Sequence, residues 1–357
     1  MKFNSFVEKR SINFKIVMRV SFLEKSLLDL FWLCAKRISQ SAFFSLSNSF
    51  NPIVGRMISN KIGRFVSSWI MPFFFWVLSL FSFMFPKEYI EEIRGISNYT
   101  KKYGLTFSKI FTLNIGYDIL CHCTSSIVVD KENKIWHLRN MDWSGDVLRD
   151  LSINVNFIHN NEIKYTGTTF LCTVGLLTGM NYNKKDPFSV SLNYRKVGSG
   201  KIGLWNYLKG INPIGFQIRD SLSLSGKDAI DRFTLNMMIS PCYLIVARKN
   251  KGYLLTRGTN TCSVSYISKY DCQDSLAQTN IDFDVNKVDE NWADGDILLL
   301  NSIDRRECAK SSYQNFINYT TDEFFQSLQI NPVFNSDTVY SCVMCPALSN
   351  YSTIVYH

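Results

Sequence analysis

Cys123, Arg139 and Asp142 are a nucleophile, a cation and a carboxylate at a spacing that a single β-hairpin would bring together. Ser125–Val129 and Lys134–Leu138 are rich in β-branched and aromatic residues, and Asp130-Lys131-Glu132-Asn133 between them is turn-like, so two antiparallel strands are predicted. Their pairing sets Cys123 beside Arg139–Asp142 at the end of the hairpin away from the turn. A thiol next to a guanidinium has its thiolate favoured, and the thiolate is the nucleophile. A cysteine hydrolase of the papain kind also needs a histidine base, yet His122, His137, His159 and His357 stand in no recognisable motif for one. One alternative base is the nucleophile's own α-amine, freed by cutting the chain between His122 and Cys123. An α-amine ordinarily titrates at about 7.7–8.0, which suits that task, and Asp142 is placed to hold it.

Further motifs follow in order: Gly175-Leu176-Leu177-Thr178-Gly179, Ser191-Leu192-Asn193-Tyr194-Arg195, Gln278-Thr279-Asn280-Ile281-Asp282 and Asp304-Arg305-Arg306. Together with Cys123-Thr124-Ser125, Arg139 sixteen residues on and Asp142 three further, they make the chain from about Pro86 onward resemble one family. It is the acid ceramidase and N-acylethanolamine acid amidase branch of the N-terminal-nucleophile hydrolases, more distantly related to bile-salt hydrolases and penicillin V acylases. The resemblance implies an α+β fold, a four-layer αββα sandwich with a helical N-terminal subunit. It implies a zymogen that cuts itself between His122 and Cys123. Residues 1–122 would then be a pro-segment or small subunit and residues 123–357 the catalytic large subunit, associated as two pieces of one precursor.

By position, the resemblance makes Cys123 the nucleophile, Arg139 the group that tunes its thiol and Asp142 the anchor of the new amine. Asn193 and Asn280 would donate to the oxyanion, and Arg306 would complete the charge network around Asp142, with Arg305 the neighbouring choice. Fixed amide donors suit this role because amide hydrolysis builds negative charge on the carbonyl oxygen. In isolation each residue has a plainer reading: a buried cysteine, an ordinary ion pair, turn asparagines. Where the family carries an acidic residue, this chain has Tyr194. The activity implied is hydrolysis of a fatty-acyl lipid amide in a lysosome or secretory lumen, without cofactor, with ceramide the first substrate and N-acylethanolamine the second. Partners implied are a membrane surface and a lipid-presenting activator protein. The alternative of another class is an inactive, membrane-associated lipid-binding relative, which Tyr194 and the unusual leader would favour.

The elements needed to position these residues are partly legible. Strands are predicted near Ile153–His159, Glu162–Thr169, Phe188–Tyr194, Tyr243–Arg248 and Tyr253–Arg257, with turns at Asn160-Asn161 and Asn250-Lys251-Gly252. Helices are predicted at Tyr89–Gly95, Phe111–Tyr117, Gly226–Met238, Arg305–Asn318 and Thr321–Leu328, the last opened by a Thr-Thr-Asp-Glu cap. Thr178 and Gly179 are expected to shape a turn beside the pocket. Many strands with a few helices, not alternating one for one, argue α+β.

The first 65 residues hold eleven basic and three acidic side chains, most of the chain's formal +9. These charges are interleaved with Phe14, Phe22, Leu27, Phe31 and Trp32, a pattern of an amphipathic, membrane-facing or core-packing helix and not of a nucleic-acid arm. Apolar residues 66–85 approach the length that spans a bilayer, but packing against the large subunit is the preferred reading. Asn98, Asn318 and Asn350 open glycosylation sequons. Cys342 and Cys345 fit either a local disulfide or two free thiols, and no second ligand pair suits a metal.

Overall fold

The computed structural model describes residues 76–116, 122–143, 147–197, 206, 209–268, 270, 275–285, 288, 297–313 and 316–357. The basic arm and the first half of the apolar stretch 66–85 lie outside them.

The hairpin of Cys123 forms as the residue types dictate. Strand β1 (His122–Val129) pairs antiparallel with β2 (Ile135–Asp142), setting Cys123 opposite Met141 and His122 opposite Asp142. The turn is closed by Asp130, whose carboxylate accepts the N–H groups of Glu132 and Lys134 at 2.9 and 2.8 Å, while Asn133 takes the left-handed conformation at φ 64°. Trp136 Nε1 donates to the other oxygen of Asp130 at 2.9 Å.

These strands belong to a five-stranded sheet ordered β10-β1-β2-β11-β12, with β10 Ser275–Gln278, β11 Thr338–Cys345 and β12 Asn350–Val355. A second sheet of seven strands runs in chain order. It holds β3 (Ser152–His159), β4 (Glu162–Phe170), β5 (Thr178–Asn181), β6 (Phe188–Tyr194), β7 (Cys242–Arg248), β8 (Lys251–Arg257) and β9 (Cys262–Ser268). Asn160 and Asn161, at φ 51° and 61°, make the β3–β4 turn.

Helices cover both outer faces. On the five-stranded sheet lie α7 (Ser302–Ser312) and α8 (Thr321–Leu328), whose Ala309, Phe324, Phe325 and Leu328 pack with Val128, Trp136 and Leu138. A capping box between Thr320 and Glu323 opens α8. Against the other sheet, α4 (Ile214–Ser221) and α5 (Gly226–Leu235) bury Phe216, Ile218 and Phe233 with Phe188, Val190 and Leu192. The same cluster takes in α1 (Lys87–Thr100) and α2 (Phe107–Gly116) through Tyr89, Ile90, Ile93, Ile110 and Phe111. Short helices α3 (Val147–Leu151) and α6 (Ile297–Leu300) complete the α-helices that lie wholly among the described residues. The result is the expected α+β arrangement, helix, sheet, sheet, helix.

Strand alternation sorts chemistry by layer. On β2, Ile135, His137, Arg139 and Met141 face the space between the sheets, while Trp136, Leu138, Asn140 and Asp142 face the α7/α8 layer. The same rule settles Cys342 and Cys345, which lie an odd number of residues apart on one strand. Cys342 packs with Met180 between the sheets and Cys345 packs with Val343 on the helix side, so both are free thiols.

Thr178 and Gly179, expected in a turn, lie in β5 instead. A Cβ on Gly179 would sit 2.7 Å from Leu222 Cδ1 and 3.1 Å from the Thr166 carbonyl oxygen, so glycine lets the strand close against the end of α4. In the apolar stretch, Leu78 and Phe85 are buried in the core whereas Trp76, Leu80 and Phe83 are exposed. Among the described residues no helix is long and apolar enough to cross a membrane.

Candidate active site

Cys123, Arg139, Asp142, Asn193, Asn280, Arg305 and Thr338 come together at the open end of the hairpin, every one of them 0 % exposed. Arg139 Nη2 lies 3.0 Å from Cys123 Sγ and 3.1 Å from Met141 Sδ. Its Nη1 donates to the Leu192 carbonyl at 2.7 Å and to Asn193 Oδ1 at 3.1 Å, which ties the guanidinium to the second sheet. The cation is thus held against the sulfur by both layers.

Burial pushes the Cys345 thiol up to about 11 and that of Cys172 to about 12, and it raises Cys342 as well, so they stay protonated.

The nitrogen of Cys123 faces a second cluster. It donates to Asn280 Oδ1 at 3.2 Å, and that oxygen also accepts from Arg305 Nη2 at 2.8 Å. Arg305 Nη1 reaches Thr124 Oγ1 at 2.9 Å and Asp142 Oδ2 at 3.2 Å, and Asp142 Oδ1 accepts from Thr338 Oγ1 at 2.8 Å. An ion pair wholly removed from water needs hydrogen bonds to its other sites, and Thr124, Asn280, Ser302 and Thr338 provide them to the terminal nitrogens of Arg305 and to the carboxylate of Asp142.

Two expectations are corrected. The cation at Asp142 is Arg305 and not Arg306. Consecutive helix residues point about 100° apart, so only one can face the carboxylate. Arg306 turns instead to the carbonyls of Ile281 and Asp282 and over the Phe283 ring at 4.8 Å. Asn280, read as a donor, presents its oxygen to Cys123, and its Nδ2 donates to the Tyr194 carbonyl at 2.9 Å. Asn193 does aim its amide nitrogen toward β1, with Nδ2 2.9 Å from the Gln278 carbonyl and 3.5 Å from that of Cys123. Tyr194 is half-buried beside an Arg195–Asp282 pair at 2.7 Å.

Sequence reasoning gave no role to Thr338 or, within the quoted motifs, to Thr124, Ser125 and Ser191. A signal for the last existed, because Ser189, Ser191 and Asn193 alternate with Val190 and Leu192, the mark of a strand with a polar buried face. Of the sequon asparagines, Asn98 and Asn318 are exposed, whereas Asn350 is half-buried and donates from Nδ2 to Thr321 Oγ1 at 2.9 Å.

No protein-family model matches the chain. Individual relatives do. An N-acylethanolamine-hydrolyzing acid amidase of Caenorhabditis elegans is 31% identical over 304 residues, covering 80% of each protein. The Cavia porcellus protein of that name is 30% identical over 73% of this chain and 72% of its own length. Acid ceramidase of Mus musculus is 26% identical over 87% of this chain and 77% of its own. The solved structure of the Caenorhabditis elegans amidase ortholog superposes with a TM-score of 0.55 at 29% identity, covering 66% of this chain and all of that one. Two antiparallel sheets between helix layers, matched by that structure, are the fold of the N-terminal-nucleophile hydrolases. The chain belongs to the family of the N-acylethanolamine-hydrolyzing acid amidases and acid ceramidases.

Proposed function

We propose that the chain is an amidohydrolase that cuts itself between His122 and Cys123 and then hydrolyses the amide bond of a fatty-acyl lipid. The observation that carries this reading is the double placement of Cys123. Its sulfur lies under the Arg139 guanidinium, and its nitrogen lies on Asn280 Oδ1 within the Asp142–Arg305 network.

In the first reaction the Cys123 sulfur attacks the His122 carbonyl carbon. The peptide C–N bond breaks, a thioester forms, and water releases the carboxylate of His122 together with a free thiol and α-amine at Cys123. In the second, the thiolate attacks the lipid amide, and the amine leaves with a proton from the Cys123 α-ammonium. Water deprotonated by that same amine then frees the fatty acid. Asn280 and Asp142 hold the amine, and Asn193 Nδ2 is the side-chain donor on the nucleophile's side of the second sheet. Residues 1–122 become the small subunit, packed on the large one through α1 and α2.

The sequence Arg139-Asn140-Met141-Asp142-Trp143 and the Gly175–Gly179 segment support ceramide as substrate. The higher identity to the N-acylethanolamine-hydrolyzing amidases supports N-acylethanolamine as the second reading. Exposed Trp76, Leu80 and Phe83 support approach to a membrane surface, where such substrates or a lipid-presenting activator are met. Family membership supports a lysosomal or secretory lumen. The test is hydrolysis of a fluorescent acyl ceramide and a fluorescent N-acylethanolamine by purified wild type and Cys123→Ala at acidic pH. Release of labelled fatty acid by wild type alone supports the reading, and release from neither lipid overturns it.

A further inference from the structure

Between the sheets, a line of hydroxyls joins His137 to the nucleophile. His137 is fully buried, with Nδ1 2.9 Å from Ser189 Oγ and Nε2 2.8 Å from Ser191 Oγ. Ser191 Oγ is 3.0 Å from Ser125 Oγ, and Ser125 Oγ is 2.7 Å from Asn193 Oδ1. Asn193 Oδ1 also accepts from Arg139, whose other terminal nitrogen lies on Cys123 Sγ.

The direction of every proton in this line follows from its last member. A carbonyl oxygen only accepts, so Ser125 must give its hydroxyl proton to Asn193. Ser125 then has only lone pairs for Ser191, which must donate to it. Ser191 in turn has only lone pairs for His137, so Nε2 must carry a hydrogen. A neutral imidazole has one N–H, which leaves Nδ1 bare to accept from Ser189. A second proton would place a cation near the Arg139 guanidinium in a fully buried site. Burial and that guanidinium hold the imidazole down to about 3.

We propose that His137 is a positioning residue, a neutral Nε2–H imidazole whose relay through Ser191 and Ser125 fixes the Asn193 amide with its oxygen on Arg139 and its nitrogen toward Cys123. An inverted amide would turn Nδ2 against the guanidinium and Oδ1 against the carbonyl of Gln278. Arg139 and the Gln278 carbonyl oppose that state directly, and it would also force the whole line to reverse, with Ser191 donating to Nε2 and His137 in the Nδ1–H form, so the relay and the amide hold their orientation as one unit. The inference deepens the reading of Cys123 as nucleophile and rests on it.

Two measurements test it. In Cys123→Ala protein labelled with nitrogen-15 histidine, the His137 resonance, assigned by its loss in a His137→Gln double variant, should show the Nε2–H tautomer at pH 5. A protonated ring or the Nδ1–H tautomer overturns the proposal whatever the chemistry at Cys123. Second, the rate of cleavage before Cys123 is measured in wild type, Ser191→Ala, His137→Phe and His137→Gln, with folding checked by thermal melting. Ser191→Ala and His137→Phe each remove two of these hydrogen bonds and break the relay, so cleavage slower by about tenfold is expected in both. Glutamine, which offers one donor and one acceptor, should restore the rate to within about threefold of wild type. Folded Ser191→Ala cleaving at the wild-type rate overturns the relay alone, and wild type that never cleaves overturns the underlying reading as well.

Discussion

At the residue scale, Arg305 and Arg306 are adjacent arginines of one helix with different fates. Arg305 is enclosed with Asp142, and removing one partner of such a buried pair leaves an uncompensated charge. Arg305→Met is therefore expected to cost about 3–5 kcal/mol and to abolish cleavage before Cys123, whereas Arg306→Lys should cost about 1 kcal/mol or less and leave cleavage intact. Urea denaturation and gel analysis of the two variants check this, and equal behaviour would place the wrong arginine in the site. The sequence makes the pair legible but not the choice, because the choice depends on helix phase. Asn280 differs from expectation for a similar reason: composition marks an amide, and only geometry tells which end faces the nucleophile.

His137 carries a pH prediction at the same scale. Its folded-state value is about 3 against an unfolded value of 6.5. The unfolded chain therefore takes up a proton as pH falls through 6.5, while the folded chain stays neutral until about 3. The contribution to stability is full above 6.5 and is lost progressively between 6.5 and 3. At about 1.4 kcal/mol per pH unit, His137 accounts for about 3 kcal/mol of stability lost between pH 7 and pH 4. Denaturation of wild type and His137→Gln at both pH values should show the decline smaller by that amount in the variant, and parallel curves would contradict it.

At the element scale, α8 and β6 coincide with their predicted spans, because a capping box marks the start of one and strict alternation of apolar with polar residues marks the other. The short strands β5 and β10 have too few residues for a period to emerge. Strand β9 lies mostly exposed at a sheet edge, although Cys262 to Tyr266 alternate apolar residues with serine, a signal that sequence reasoning did not use. Helix α4 escapes sequence reasoning because it has only eight residues, about two turns, and is buried almost all round. Helix α7 begins at Ser302 and ends at Ser312, before the loop that leads to the α8 cap, and so is earlier than the predicted span at both ends.

Close packing between the sheets gives one prediction here. A Cβ on Gly252 would meet Ile127 Cγ2 at 2.5 Å and Ile267 Cγ2 at 3.2 Å. Gly252→Ala should cost about 1–3 kcal/mol by overpacking, read as a lowered denaturation midpoint. An unchanged midpoint would mean that the sheets separate more easily than this packing allows.

A second concerns the joint between the two proposed subunits. Arg219 of α4 donates two hydrogen bonds to Glu92 of α1, at 2.6 and 2.7 Å, and lies between the rings of Tyr89 and Phe157. Tyr89 also donates to Asp220, and Asn114 of α2 bonds both Cys172 O and Val174 N. After cleavage these contacts join separate chains. Arg219→Ala should release the small fragment on size-exclusion chromatography in mild urea at concentrations where the cleaved wild type still co-elutes. Co-elution of both would assign the joint to the apolar core of α1 and α2 alone.

At the scale of the whole molecule, the order of motifs is sufficient to give family and layer architecture, since widely separated segments converge on one end of the β1–β2 hairpin. The links between sheets are not legible in the sequence, because Ser125, Ser191 and His137 are ordinary residues until two layers face each other. The central claim is that Cys123 becomes a chain terminus. The most direct test is N-terminal sequencing and intact-mass measurement of purified wild type and Cys123→Ala before and after incubation at acidic pH. The account predicts a new 235-residue chain beginning at Cys123 in wild type and an uncut chain in the variant. An intact wild type under all conditions, or a cut that persists in Cys123→Ala, would contradict it.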